Sequence, residues 1–120
     1  FMAPAHSYDL NTLMALRSLG FTGLTDGFGE RPYLYSELVF YPISYRKSES
    51  LKKASGFTTF VVHCNTLEEK DFAAYEEIFR SQKMIPYQEL LEQDAVKRGS
   101  LGRQKEYLMA WIKRAVRERV

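Results

Sequence analysis

Six consecutive β-branched or aromatic residues, Phe57-Thr58-Thr59-Phe60-Val61-Val62, constrain this 120-residue chain more than any other stretch. A run of that kind, with no polar alternation, predicts a strand buried on both faces, as parallel sheets under helices require. It leads into His63-Cys64-Asn65 and then Thr66-Leu67-Glu68-Glu69. A threonine with a glutamate three residues on reads as a capping box, opening a helix over 67–81 that would bury Phe72, Tyr75, Ile78 and Phe79.

The same alternation of strand and helix signals runs through the rest of the chain. Residues 1–5 are short and apolar and suit a strand that ends at Pro4. Asp9 is a good N-cap for a helix over 10–19, with Leu10, Leu13, Met14 and the stem of Arg17 as its inner stripe and Leu16 and Leu19 widening it. Gly20 fits the position after the helix, and Phe21 the apolar contact that follows. A short strand is expected over 21–25, a loop over 27–36 and a second strand over 38–43, stopped or edged by Pro42. Residues 44–55 read as a polar loop or a short exposed helix. Met84-Ile85 reads as a short last strand, 87–97 as a helix opened by Pro86, and 101–118 as a final helix with a stripe at Leu101, Leu108, Trp111, Ile112 and Ala115. This order predicts an α/β fold with mostly parallel strands in one domain over 1–120 and a basic amphipathic helix over 99–120.

Composition narrows the function classes. No apolar run approaches the roughly 20 residues that span a bilayer, so no membrane span is expected. One cysteine, Cys64, excludes an internal disulfide and mildly favours a reducing, cytoplasmic setting. Residues 97–120 carry eight Lys or Arg against two Glu, a net +6, on a body of nine bases and thirteen acids, a net −4. Such a tail reads as a solvated helix face beside its own acidic domain, so no nucleic-acid partner is expected; an anion-binding module is the weaker reading.

Polar residues at the C-terminal ends of parallel strands are where α/β folds place their sites. Three candidates fall there: His6 after the first strand, Asp26 after the second and His63 after the third. An imidazole at a strand mouth can donate a proton to a leaving group. His6 could instead stabilise the turn into the first helix, and Asp26, before Gly27, could be a turn residue. Cys64 is a poor nucleophile, because its sequence neighbour His63 points the other way on an extended segment. Gly27-Phe28-Gly29 lacks the third glycine and the helix of a phosphate loop.

Two segments resemble a known family. Phe1-Met2-Ala3-Pro4-Ala5-His6-Ser7-Tyr8-Asp9 is similar to the third conserved motif of NodB-like polysaccharide deacetylases, an aromatic-Arg-x-Pro followed by a small residue. Phe60-Val61-Val62-His63-Cys64-Asn65 resembles that family's last motif, in which an apolar strand ends in a catalytic His. Leu16-Arg17-Ser18-Leu19-Gly20-Phe21 resembles its helix-to-strand passage. The likeness covers roughly residues 1–92.

The resemblance implies a partial (β/α) barrel and the metal-dependent removal of acetyl groups from a sugar or glycan. It gives His63 the role of protonating the leaving amine. Phe1, Ala3, Pro4, Ala5, His6 and Asp26 would bind substrate. It also implies a divalent metal, usually zinc, in the complete protein. The family's Thr-Phe-Asp-Asp and His-x-x-x-His motifs occur nowhere in these residues, and its motif-three Arg is Met2 here. The chain is therefore expected to be the C-terminal part of a larger barrel, inactive and without metal on its own. Its first strand would be open to pairing with another copy. The alternative is a non-catalytic carbohydrate-binding or interaction module, which the replaced Arg favours.

Overall fold

The computed structural model of the chain describes residues 1–44 and 56–99 and, in the C-terminal segment, Leu101, Gly102, Gln104, Leu108, Trp111, Ile112 and Ala115. The stretch 45–55, expected as a loop or short helix, lies outside the described residues. Three helices and five strands are described: α1 (Leu10–Ser18), β1 (Gly23–Gly27), β2 (Tyr33–Tyr35), β3 (Leu38–Ser44), β4 (Thr59–Phe60), α2 (Glu69–Ser81), α3 (Tyr87–Leu91) and β5 (Val96–Lys97). The described residues of the C-terminal segment are helical.

The strands form one sheet in the order β1-β3-β2-β5, with β4 also pairing on β3. β1 and β4 run parallel to β3, and β5 runs parallel to β2; β2 and β3 form an antiparallel hairpin. The fold is thus mixed α/β with mostly parallel pairing in an open sheet.

The first helix follows its capping chemistry. Asp9 accepts from the Thr12 amide at 2.8 Å, and the Thr12 hydroxyl accepts from the Asp9 amide, so two otherwise orphaned donors are satisfied. These bonds from Thr12 hold the Asp9 carboxyl below the usual carboxylate range. At the other end Gly20 takes φ +81, its amide bonds Arg17 C=O at 2.9 Å, and the Phe21 amide bonds Leu16 C=O at 3.0 Å. This is a Schellman closure, and the left-handed residue it needs is the glycine.

The helix buries Leu13 and Leu16 only; Leu10, Met14 and Leu19 are exposed, contrary to the wider stripe expected. A short helix on a narrow sheet presents one i, i+3 ridge, and residues 60–100° off that ridge reach past the sheet. Leu13 and Leu16 pack on Leu24, Tyr33, Leu38 and Phe40, with Tyr8 and Tyr35 at the margin. Register explains the cluster: Leu24 and Tyr33 both stand opposite Phe40 and so share its face. Tyr33 stacks on Phe40 at 5.2 Å, while Tyr8 and Tyr35 meet the same ring at 5.6 and 5.7 Å.

Several elements depart from the sequence expectation. β2 stands where a loop was expected. Its turn, Ser36-Glu37, has φ +51 and +60, the left-handed pair of a two-residue hairpin, without the Asn-Gly that announces one. Pro42 is not a stop but a buried residue inside β3. It is accommodated because the β1–β3 register slips between Leu24 and Gly27, opposite the missing amide. The 57–62 run yields only two strand residues; Phe57–Val61 are half-buried and Val62 is exposed, so the strand is not covered on both faces. The Thr66 hydroxyl turns back to bond His63 C=O, and α2 starts later with a Glu68–Asp71 capping box. Its inner face holds Asp71 and Ile78, with Tyr75 half-buried against Phe60, while Phe72 and Phe79 point outward. No strand forms at Met84-Ile85, and the helix after Pro86 ends at Leu91, giving way to the unexpected β5.

Arg98 ties β5 to the core. Its guanidinium lies 3.7 Å over the Tyr33 ring and donates to Phe28 C=O at 2.7 Å. A planar cation on a buried aromatic face, bonded at its rim, fixes the 28–32 loop against the sheet.

Candidate functional site

The opening residues form a strand-like segment rather than a labelled strand. The Phe1 amino group donates to Gly23 C=O at 3.1 Å and the Thr25 amide to Phe1 C=O at 2.8 Å, the pattern of a parallel bridge beside β1. Phe1 also packs edge-on against Phe21, with ring centroids 6.0 Å apart. Ala3 is buried, and Pro4–His6 then form a single 3-10 turn, closed by the His6 amide on Ala3 C=O. Proline at the first position of that turn presets its φ and gives up an amide the turn does not use.

The turn delivers His6 onto β1. Asp26 lies buried inside β1, one residue from the strand's C-terminal end. Its side chain is 0% exposed. Oδ2 accepts from the Ala3 amide at 2.7 Å, and Oδ1 meets His6 Nδ1 at 2.8 Å. An ionised carboxylate is an acceptor only, so with Asp26 charged the proton of this bond lies on His6 Nδ1 and Nε2 is the ring's basic nitrogen. The imidazole is 16% exposed, mostly covered yet reached by solvent. His6 itself sits at φ +54, a left-handed backbone that a side chain enters at a cost of about 1–2 kcal/mol. The bonds to Asp26 hold it there. A buried carboxylate that fixes the aim and tautomer of a partly exposed imidazole is an arrangement by which general bases are oriented.

The structure therefore brings together Ala3, His6 and Asp26 of the expected site residues. Pro4 and Ala5 lie in the backbone turn between them, with Pro4 exposed, and Phe1 is one bridge away on the same segment. The pairing of His6 with Asp26 was not legible from spacing, since twenty residues separate them and each had a local turn role to explain it. Asp26 is no turn residue: it lies inside β1.

His63 stands apart. Because β1, β3 and β4 are parallel, their C-terminal ends lie along one edge of the sheet, and His63 follows β4 by three residues on that edge. Its side chain is exposed and caps nothing, while its C=O accepts from the amide and the hydroxyl of Thr66. Cys64 is exposed beside it.

Among the described residues, no three His, Cys, Asp or Glu side chains converge as a metal centre requires. Asp26 commits its oxygens to Ala3 and His6, and no third candidate ligand stands beside the pair among the described residues. Among the described residues, no helix is long and apolar enough to cross a membrane. Compared with protein-family models, characterised proteins and solved structures, the chain matches none.

Proposed function

We propose that this chain contributes the acid–base half of a hydrolase that removes acetyl groups from a sugar or glycan. The observation that carries the reading is the buried Asp26 bonded to His6 at the C-terminal edge of parallel strands. In this reading His6 Nε2 takes a proton from the attacking water as its oxygen bonds the acetyl carbonyl carbon. Asp26 is the positioning residue; it holds the proton on Nδ1 and stabilises the imidazolium that forms. As the carbon–nitrogen bond breaks, His63 on the same edge gives a proton to the departing amine. Acetate and the free amine leave, and solvent returns both imidazoles to their starting charge.

The likeness of 1–9 and 60–65 to deacetylase motifs supports the acetyl substrate. The partial (β/α) barrel implied by that likeness would require strands beyond those described. The outer side of the Phe1–Ala3 segment, at exposed Met2, is the edge where a further strand, including one from another copy, would join. The divalent metal implied for a complete enzyme would need ligands from outside the described residues. No step above is routed through it.

The test is acetate release from N-acetylated chito-oligosaccharides, run on this chain and on the product of the intact reading frame. His6→Gln is expected to lower turnover by about 10²–10⁴, and His63→Gln by a similar factor. Release that is unchanged in His6→Gln would remove the pair from the chemistry. Binding of the oligosaccharide without any release by either protein would favour a carbohydrate-binding module.

A further inference from the structure

β1 does not alternate regularly to its end. Leu24 stands opposite Phe40 and Gly27 opposite Pro42, so three steps along β1 cover two along β3. One extra residue is therefore held in β1 between those pairs, as in a β-bulge. Residues directly opposite share a face, and so do Phe40 and Pro42, two apart on β3. Leu24 and Gly27 thus both face the core, although a regular strand would put them on opposite sides. A Cβ on Gly27 would lie 3.2 Å from the core ring of Tyr33, as that face requires.

The extra residue falls at the candidate site. Thr25 turns to the other face, where its hydroxyl bonds that of Tyr87, whose ring packs on Tyr41 with centroids 6.3 Å apart. Asp26 lies between this outward Thr25 and the inward Gly27. In a regular strand it would point with Leu24 into the core. Its carboxylate instead meets the Ala3 amide at 2.7 Å and His6 Nδ1 at 2.8 Å. Both belong to the segment that runs beside β1, where the Thr25 amide bonds Phe1 C=O. Only a glycine lets the bulge close. A Cβ at Gly27 would stand 2.9 Å from the Tyr41 carbonyl oxygen and 3.0 Å from its carbon, too near for the two backbones to keep their approach.

We infer, on the reading of His6 and Asp26 as a general base and its positioning residue, that this bulge aims the pair. The extra residue turns the Asp26 carboxylate out of the strand's alternation and onto His6, and Gly27 is the positioning residue that lets the bulge form. Re-aiming a single side chain beside a site is a recurrent use of such bulges.

Deleting Thr25 removes the extra residue while both flanking pairs can persist. Asp26 then takes the place of Thr25, with its amide toward Phe1 C=O and its carboxylate toward Tyr87. Long-range ¹H–¹⁵N spectra of the imidazoles read the result: His6 should lose its preference for the proton on Nδ1, with far-UV circular dichroism unchanged. Thr25→Ala keeps the bulge and removes only the Tyr87 bond, so its His6 spectrum should match wild type. Gly27→Ala must push the Tyr41 carbonyl back and should move His6 in the same direction as the deletion. Any acetate release should fall by about 10²–10⁴ in the deletion variant. A folded deletion variant whose His6 keeps its proton on Nδ1 overturns the inference, whatever its activity. If the deletion does not fold, a folded Gly27→Ala with an unaltered His6 spectrum overturns it. In wild type the Gly27 α-protons should show cross-relaxation with the Tyr33 ring; its absence means a regular strand and overturns the inference without any variant. A changed tautomer with no acetate released by any form upholds the role of the bulge and removes only the hydrolase reading.

Discussion

Replacing Asp26 by Asn and by Ala separates what its shape does from what its charge does. Alanine removes both acceptors. The Ala3 amide, bonded to Oδ2 at 2.7 Å, then loses its partner in a buried place, at a cost of about 1–3 kcal/mol. The His6 bond to a carboxylate contributes about 1.5–3 kcal/mol more. Releasing His6 from its left-handed backbone returns about 1 kcal/mol. The net expectation for Asp26→Ala is a loss of about 3 kcal/mol, or about 1–3 M in the urea midpoint. Asparagine keeps the shape. Its oxygen can still accept from Ala3, and its amide group can face Nδ1, so the cost should stay near 1 kcal/mol. That geometry moves the ring proton to Nε2, which takes away the base, so any hydrolysis should fall about as far as in His6→Gln. Urea unfolding followed by circular dichroism reads the stability difference. Equal destabilisation by Asn and Ala would refute the hydrogen-bond reasoning, and so would an Ala variant within about 0.5 kcal/mol of wild type.

Other variants test the framework around the site. Leu13→Ala should cost about 2–5 kcal/mol because Leu13 is fully buried, whereas Met14→Ala, one position on but exposed, should stay within about 0.5 kcal/mol; denaturation midpoints distinguish them. Arg98→Ala should lose about 2 kcal/mol through its ring contact and its bond to Phe28, and Arg98→Lys should restore little, since an ammonium cannot lie flat on Tyr33. Gly20→Ala should cost about 1 kcal/mol from its left-handed backbone alone, there being open space around it. Gly56→Ala should cost clearly more, because its new carbon would stand 2.3 Å from Glu30 C=O; thermal unfolding of the two variants measures the gap.

The parts legible in the sequence were those whose signals are local. The Asp9 cap, the Gly20 closure and the β3 run each depend on neighbours within a few residues, and each formed as expected. The misses share a different cause. β2 and β5 are short strands fixed by pairing with each other and with β3, and nothing in three or two residues announces a partner sixty residues away. The outward faces of α1 and α2 depend on how little sheet lies beneath them, which periodicity does not record. The site divides in the same way. His6, Asp26 and His63 stand out in the sequence by their place at strand ends. The bond between His6 and Asp26 was hidden, because it needs the parallel bridge of Phe1 on β1 to bring the 3-10 turn over the strand.

The proposed chemistry turns on one proton. The chain has two histidines, so a long-range ¹H–¹⁵N spectrum of uniformly labelled protein contains two imidazoles, assigned by His63→Gln. With Nδ1 held 2.8 Å from a buried carboxylate, neutral His6 is predicted to carry its proton on Nδ1 and to show an unprotonated Nε2, and Asp26→Asn should reverse the two. A wild-type His6 protonated on Nε2, or one averaging both forms as an exposed ring does, would contradict it.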